Sequence, residues 1–161
     1  MAKICLCLTG KTIVKNLELV DRYRSYIDVA ELRVDCLEQD ERFYIRRFPA
    51  LAGIPTILTI RRKVDGGNFI EGEGARIVLF AAGLAFASTD RRRNFAYVDL
   101  EEDMQVPSLE EAARTFGTRI IRSYHNFQGV DNNLEEKIRQ LQRTGDEIAK
   151  VAVMPKDLER S

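Results

Sequence analysis

Hydrophobic and polar positions along this 161-residue chain change their period repeatedly. Short runs with alternation or continuous aliphatic character fall at Lys3–Leu8, Val29–Arg33, Thr56–Ile60, Phe95–Leu100, Thr118–Tyr124 and Glu147–Val153. They predict six strands. Between them the patterns are helical, predicting helices over Thr12–Tyr26, Glu41–Leu51, Glu73–Ser88, Leu109–Phe116 and Leu134–Thr144. Ser108 with Glu111 three residues later reads as a capping box, and Gly145 after Thr144 as a helix stop. Such alternation implies a parallel sheet, either open and doubly wound or closing into a barrel. No low-complexity tract or linker interrupts it, so residues 1–161 read as a single domain.

Parity within the strands separates the two architectures. Glu31, Arg33 and Asp35 share one face, with Ala30, Leu32 and Val34 on the other. Tyr97, Asp99 and Glu101 oppose Ala96, Val98 and Leu100, and Thr59 and Arg61 oppose Leu58 and Ile60. Cys5, Cys7 and Thr9 oppose Ile4, Leu6 and Leu8, while Ser123 and His125 fall together. Lys150, inside "EIAKVAVMP", is in phase with the polar set. A doubly wound sheet buries two apolar faces, whereas a barrel has one helix-covered aliphatic face and a site at its C-terminal mouth. One uniformly aliphatic face therefore favours an α/β fold of the (β/α)8 barrel kind, here with about six β/α units.

Composition narrows the partners. Apolar content of 45% and charged content of 31% are ordinary for a globular chain. With 25 basic and 25 acidic residues the formal charge is zero, which recommends neither nucleic acid nor an anionic membrane. No apolar run reaches the length of a membrane span. Three cysteines and no signal-like segment point to a reducing cytoplasm, and Cys5 and Cys7, alternate residues of one strand, are poorly placed to bridge. The single histidine excludes a multi-histidine metal site within the chain.

Candidate chemistry gathers on the polar face. A lysine in an apolar strand must reach water, pair with an acid or lose its proton, and the last is what Schiff-base formation requires. His125, in "SYHNF", ends the strand before that of Lys150. Neighbouring strands lie about 4.8 Å apart, so both side chains reach one small ligand, and His125 reads as a general acid–base. In "ELRVD", Arg33 is flanked by carboxylates and aimed at an anion, unless the face is a solvated edge. In "TIRRKVDGG", Arg61 is in phase with the interior, Arg62 and Lys63 are not, and the glycine pair alone signals a turn. In "YVDLEED", Asp99 and Glu101 would orient a base or hold a metal, and Glu102 and Asp103 are loop charges.

Together, "ELRVD", "TIRRKVDGG", "YVDLEED", "SYHNF" and "KVAVMP" resemble type I 3-dehydroquinate dehydratase over nearly the whole chain. The resemblance implies a (β/α)8 barrel of the shikimate pathway that dehydrates 3-dehydroquinate to 3-dehydroshikimate through a Schiff base. It implies Lys150 as the imine lysine, His125 as the proton shuttle and Glu31, Arg33 and Arg61 as substrate-binding residues. Asp99 and Glu101 take supporting roles, and neither metal nor organic cofactor is needed. Asp65-Gly66-Gly67 stands where the family has Glu-Gly-Gly, so Asp65 takes the place of the glutamate that pairs with the catalytic histidine. Cys7 stands where many members have serine. The chain ends at Ser161, after the sixth strand, two β/α units short of the family barrel. Those units carry a further substrate arginine and a loop with serine and glutamine. Open edges on the first and sixth strands then call for self-association or a C-terminal partner domain. Two other readings stand beside this one: a metal-assisted lyase using Glu31, Asp99 and Glu101, and a non-catalytic barrel fragment acting only by association.

Overall fold

The computed structural model describes residues 2–85, 88–142 and 145–155. Six strands, β1 (Cys5–Leu8), β2 (Val29–Arg33), β3 (Thr56–Thr59), β4 (Tyr97–Glu101), β5 (Arg119–Asn126) and β6 (Ile148–Val153), form one sheet in chain order. Every pairing is parallel. A doubly wound sheet reverses its strand order at a switch point. This one never does, and its strands form a half-barrel wall with β1 and β6 as its edges.

The crossovers carry α1 (Ile13–Tyr23), α2 (Phe48–Ala52), α3 (Glu73–Leu84), α4 (Pro107–Thr115) and α5 (Leu134–Leu141). Thr12 caps α1 by accepting from the Lys15 N–H at 3.1 Å. The helix expected over Glu41–Leu51 is instead a 3-10 run, Gln39–Arg47, leading into the short α2. Pro49 accounts for the C-terminal end of that run. It has no N–H to bond the Ile45 carbonyl, which takes the Phe48 N–H three residues on instead. The Ser108–Glu111 capping box does not form. Pro107, suited to a first helical position, starts α4 with Val106 as its cap, so Ser108 already lies inside the helix. Gly145 does not stop α5, which ends at Leu141 with Gln142 as its cap; Thr144 lies outside the described residues. A reciprocal cap not read from the sequence starts α5: Asn133 accepts from the Glu136 N–H and donates to its carboxylate.

Strand parity sets the layers. Leu8, Ala30, Leu32, Leu58, Ile60, Val98, Leu100 and Ile120 pack into one core under the helices, with Phe48 and Phe80. Arg122 breaks the uniformly aliphatic pattern expected of that face. It is fully buried and donates to Glu147, Glu110 and the Met104 carbonyl, joining β5 to α4 and to the start of β6. On the interior face, Val29, Ile57 and Ile121, with Tyr97 and Ile148, make an apolar floor at the N-terminal ends of the strands. The polar groups stand one and two steps above it.

Candidate active site

The step above the floor holds Glu31, Thr59, Asp99, Ser123 and Lys150, and the next holds Arg33, Arg61, Glu101 and His125. β2, β3 and β4 are almost wholly buried, which keeps their carboxylates in a fixed frame. Asp99 is the centre. It accepts from Ser123 Oγ at 2.6 Å, from Arg61 Nη1 at 3.2 Å and Nη2 at 3.0 Å, and from Lys150 Nζ at 3.4 Å. Burial would raise its carboxyl, but the charges of Arg61 and Lys150 and these hydrogen bonds outweigh burial and hold it below the usual aspartate range.

Lys150 also lies 3.5 Å from Glu31, whose carboxylate accepts from Thr59 Oγ1 at 2.8 Å. Its place in an apolar strand does not bury it: the side chain is 39% exposed and paired with two acids. Its strand is the cause: β6 has a neighbour on one side only, and all six of its residues are half-buried. Of the three routes open to such a lysine, this one takes two, contact with water and pairing with acids.

His125 stands one strand away, where Ser123 pairs in register with Lys150 and His125 with Ala152. Its Nδ1 is buried with no hydrogen-bond partner among the described residues, and its ring stacks on Phe127 at 6.1 Å and 18°. Burial first, then the charge of Arg61, push the imidazole below its ordinary value, against the pull of Asp99 and Asp65. His125 is therefore held neutral and ready to accept a proton.

Arg33 gives its Nε and Nη2 to Asp35, at 3.0 and 2.8 Å, leaving Nη1 unused by that pair. Asp35 also accepts from the backbone N–H groups of Arg61 and Asn68, tying β2 to the loop after β3. That loop needs both of its glycines. Gly66 has φ +84°, and a Cβ there would lie 2.7 Å from the Phe127 ring; a Cβ on Gly67 would lie 2.2 Å from the Arg61 carbonyl oxygen. The glycine pair is more than a turn, since it shapes the loop beside the Phe127 ring, which in turn stacks on His125.

A family model for type I 3-dehydroquinase matches residues 4–160. The chain belongs to that family. The 3-dehydroquinate dehydratase of Methanothermobacter thermautotrophicus is 33% identical over 159 residues, covering 97% of this chain and 67% of that protein. That of a Geobacillus strain is 30% identical over 165 residues, covering 94% of this chain and 61% of its own length. The crystal structure of 3-dehydroquinate dehydratase from Geobacillus kaustophilus superposes with a TM-score of 0.81 at 27% identity, covering 99% of this chain and 64% of that one. The chain thus spans 61–67% of the length of these type I 3-dehydroquinase relatives.

Within this member of the family, two site expectations change. Asp65 does not pair with His125: it accepts from Arg62 Nε at 2.7 Å, and Arg62 also bridges to Asp103, so the acid is drawn toward the loop after β4. Its charge still acts on His125. Arg61 does not lie open to a ligand either, since it is 4% exposed with both terminal amines on Asp99, Glu101 and Ser123. Cys7 lies beside Glu31 and Arg33, where burial and then Glu31 raise its thiol to about 11, so it sits in the site as a neutral group. Glu31, Asp99 and Glu101 do not assemble as metal ligands. Among the described residues no set of three candidate ligand side chains converges, and each of these acids faces a cation.

One residue escaped sequence reasoning altogether. Arg76, from α3, is fully buried and bidentate to Glu101, at 3.0 and 2.6 Å. The signal was available, since "GARIVLFAAGL" holds one cation in an otherwise apolar helix, the same anomaly that marks Lys150.

Proposed function

We propose that this chain carries the imine-forming centre of a type I 3-dehydroquinate dehydratase, with Lys150 as nucleophile and His125 as proton carrier. The observation that supports it is the seat of Lys150 Nζ, 3.4 Å from Asp99 and 3.5 Å from Glu31, one strand from the single histidine. Nζ gives one proton to His125 and adds as the free amine to the substrate ketone. A C–N bond forms, and the former carbonyl oxygen, carrying a proton from the amine, takes back the one held by His125 and leaves as water. The resulting iminium acidifies the adjacent carbon, whose proton passes to His125 while the electron pair moves into the imine nitrogen. Return of that pair expels the hydroxyl one carbon further on, which takes the proton from His125 and departs as water. Hydrolysis then releases 3-dehydroshikimate and restores the amine.

Asp99 and Glu31 suit both cationic stages, the ammonium and the iminium, because each is a carboxylate already held in place. Arg33, with Nη1 not taken by Asp35, is the better placed arginine for the substrate carboxylate. Arg61 adds positive charge behind it. The activity proposed is that of relatives longer than this chain, so cover for the β1 and β6 edges, by a second copy or a C-terminal partner, belongs to the same proposal. Three free thiols fit a cytoplasmic setting for it.

The test is borohydride reduction in the presence of 3-dehydroquinate, followed by intact mass and peptide mapping. A single adduct on Lys150 is expected, absent from Lys150→Ala and from Lys150→Arg, whose guanidinium stays protonated. An adduct elsewhere, or on several exposed lysines, overturns the assignment.

A further inference from the structure

We propose that Arg76 is a positioning residue of this site: from helix α3 it fixes Glu101, and through Glu101 it fixes the guanidinium of Arg61. α3 lies on the outer layer, yet this side chain crosses the end of β3 to reach the end of β4. All five of its N–H donors are directed. Nε donates to Glu73 at 3.1 Å, Nη1 to the Ile60 carbonyl at 2.6 Å and to Glu101 Oε1 at 3.0 Å. Nη2 donates to Glu101 Oε2 at 2.6 Å and to the Met104 sulfur at 3.0 Å, and the Phe80 ring lies 5.4 Å from the guanidinium carbon.

Glu101 Oε1 also accepts from Arg61 Nη1 at 3.0 Å, so two guanidinium groups meet on one carboxylate oxygen. Arg61 Nη1 has two competing acceptors, Asp99 Oδ1 at 3.2 Å and Ser123 Oγ at 3.3 Å. Only an anchored Glu101 keeps that amine divided between β4's two acids. A free Glu101 would swing, and Arg61 would turn wholly onto Asp99. Charge balance points the same way, with Glu31, Asp99 and Glu101 set against Lys150, Arg61 and Arg76. As a stability device the pair would be a poor choice, because packed apolar residues commonly do as well as a buried ion pair. Its value is orientation.

What Arg61 and Lys150 then do to a substrate rests on the proposed dehydratase reading; the positioning itself does not. The readout is therefore the imidazole of His125, the chain's single histidine, whose NMR titration needs no assignment. The charged groups acting on it are Asp99 from β4, Lys150 from β6, and Arg61 and Asp65 from the segment after β3. In Arg76→Met, three acids face two cations, and the titration midpoint is expected to rise by roughly 0.5–1 unit. Arg76→Lys restores the charge but not the two-pronged grip on Glu101, so it is expected to recover only part of the rise. The double variant Arg76→Met/Glu101→Gln, which balances the charges but frees Arg61, is expected to stay displaced from the parent value. Should Arg76→Met fail to fold, the neutral Arg76→Gln carries the same expectation of a rise. Thermal unfolding of each variant gives the packing contribution separately. A midpoint that stays put in the neutral variant makes Arg76 a packing residue, and one that returns fully to the parent value in Arg76→Lys and in the double variant makes it a carrier of charge alone; either overturns the inference. Borohydride trapping on the same proteins keeps the two readings apart: a parent chain that traps nothing removes the dehydratase reading, while the titration still decides the role of Arg76.

Discussion

Partial burial and the charge of Arg61 push the His125 imidazole below its ordinary value, and that has a consequence for stability. A histidine whose folded value lies below 6.5 binds its proton first in the unfolded chain. The stability it contributes is whole above 6.5, declines as pH falls from 6.5 through the folded value, and falls no further below that. The urea midpoint should therefore drop more between about pH 7 and pH 5 in the parent than in His125→Asn, because the histidine window opens near 6.5. Equal drops would mean that the imidazole is not held neutral. The lowered carboxyls of Asp35 and Asp99 act in a separate window, losing their contribution as pH falls below 3.8 through their folded values. At this scale the sequence was readable where a residue was singular. One histidine and one lysine in phase with a polar face stood out, and they do stand on adjacent strands. Partner choice was less readable: Asp65 has Arg62 three residues before it in the same loop, and that short-range ion pair competes with any longer reach to His125.

Loops and clamps carry the next level. Gly66 has a positive φ and meets Phe127, which stacks on His125. Gly66→Ala should cost about 1–2 kcal/mol in folding stability and displace Phe127, moving the His125 titration as well. A stability loss with an unchanged titration would detach the loop from the site. Arg122 is the second case. It binds Glu110 of α4, Glu147 at 3.0 Å and the Met104 carbonyl at 2.9 Å, holding α4 against β5 and the start of β6. Arg122→Met should cost about 3–5 kcal/mol, toward the lower end because Arg114 stays 3.7 Å from Glu147. Adding Glu147→Leu should recover part of that loss in urea unfolding, whereas a double variant no better than the single one would show that packing alone is at stake. Strand positions were legible because alternation is a long signal. The 3-10 run before α2 was not, since its residues follow a helical pattern and only the missing N–H of Pro49 breaks the ladder.

Over the whole molecule, the choice of a barrel over a doubly wound sheet came from parity, and the sequential strand order agrees with it. Parity spoke less clearly of Arg122, a charge on the covered face whose partners lie on other elements, far along the chain. β1 and β6 are the edges of the sheet, and unpaired edges are templates for association. Light scattering should show mass rising with concentration, and adding the C-terminal third of a relative should suppress the rise and increase turnover. A monodisperse monomer across that range would remove the edges as the cause. The burial gradient across the wall has a further consequence. β3 is buried throughout while β6 is half-buried at every position, so amide hydrogens should exchange with solvent last from β3 and early from β6. Lys150 thus sits on a half-buried edge strand, facing acids on strands buried almost throughout. Any ligand bonded to Lys150 and gripped by Arg33 would staple the two together, and its arrival should be recorded as slowed deuterium uptake along Ile148–Val153.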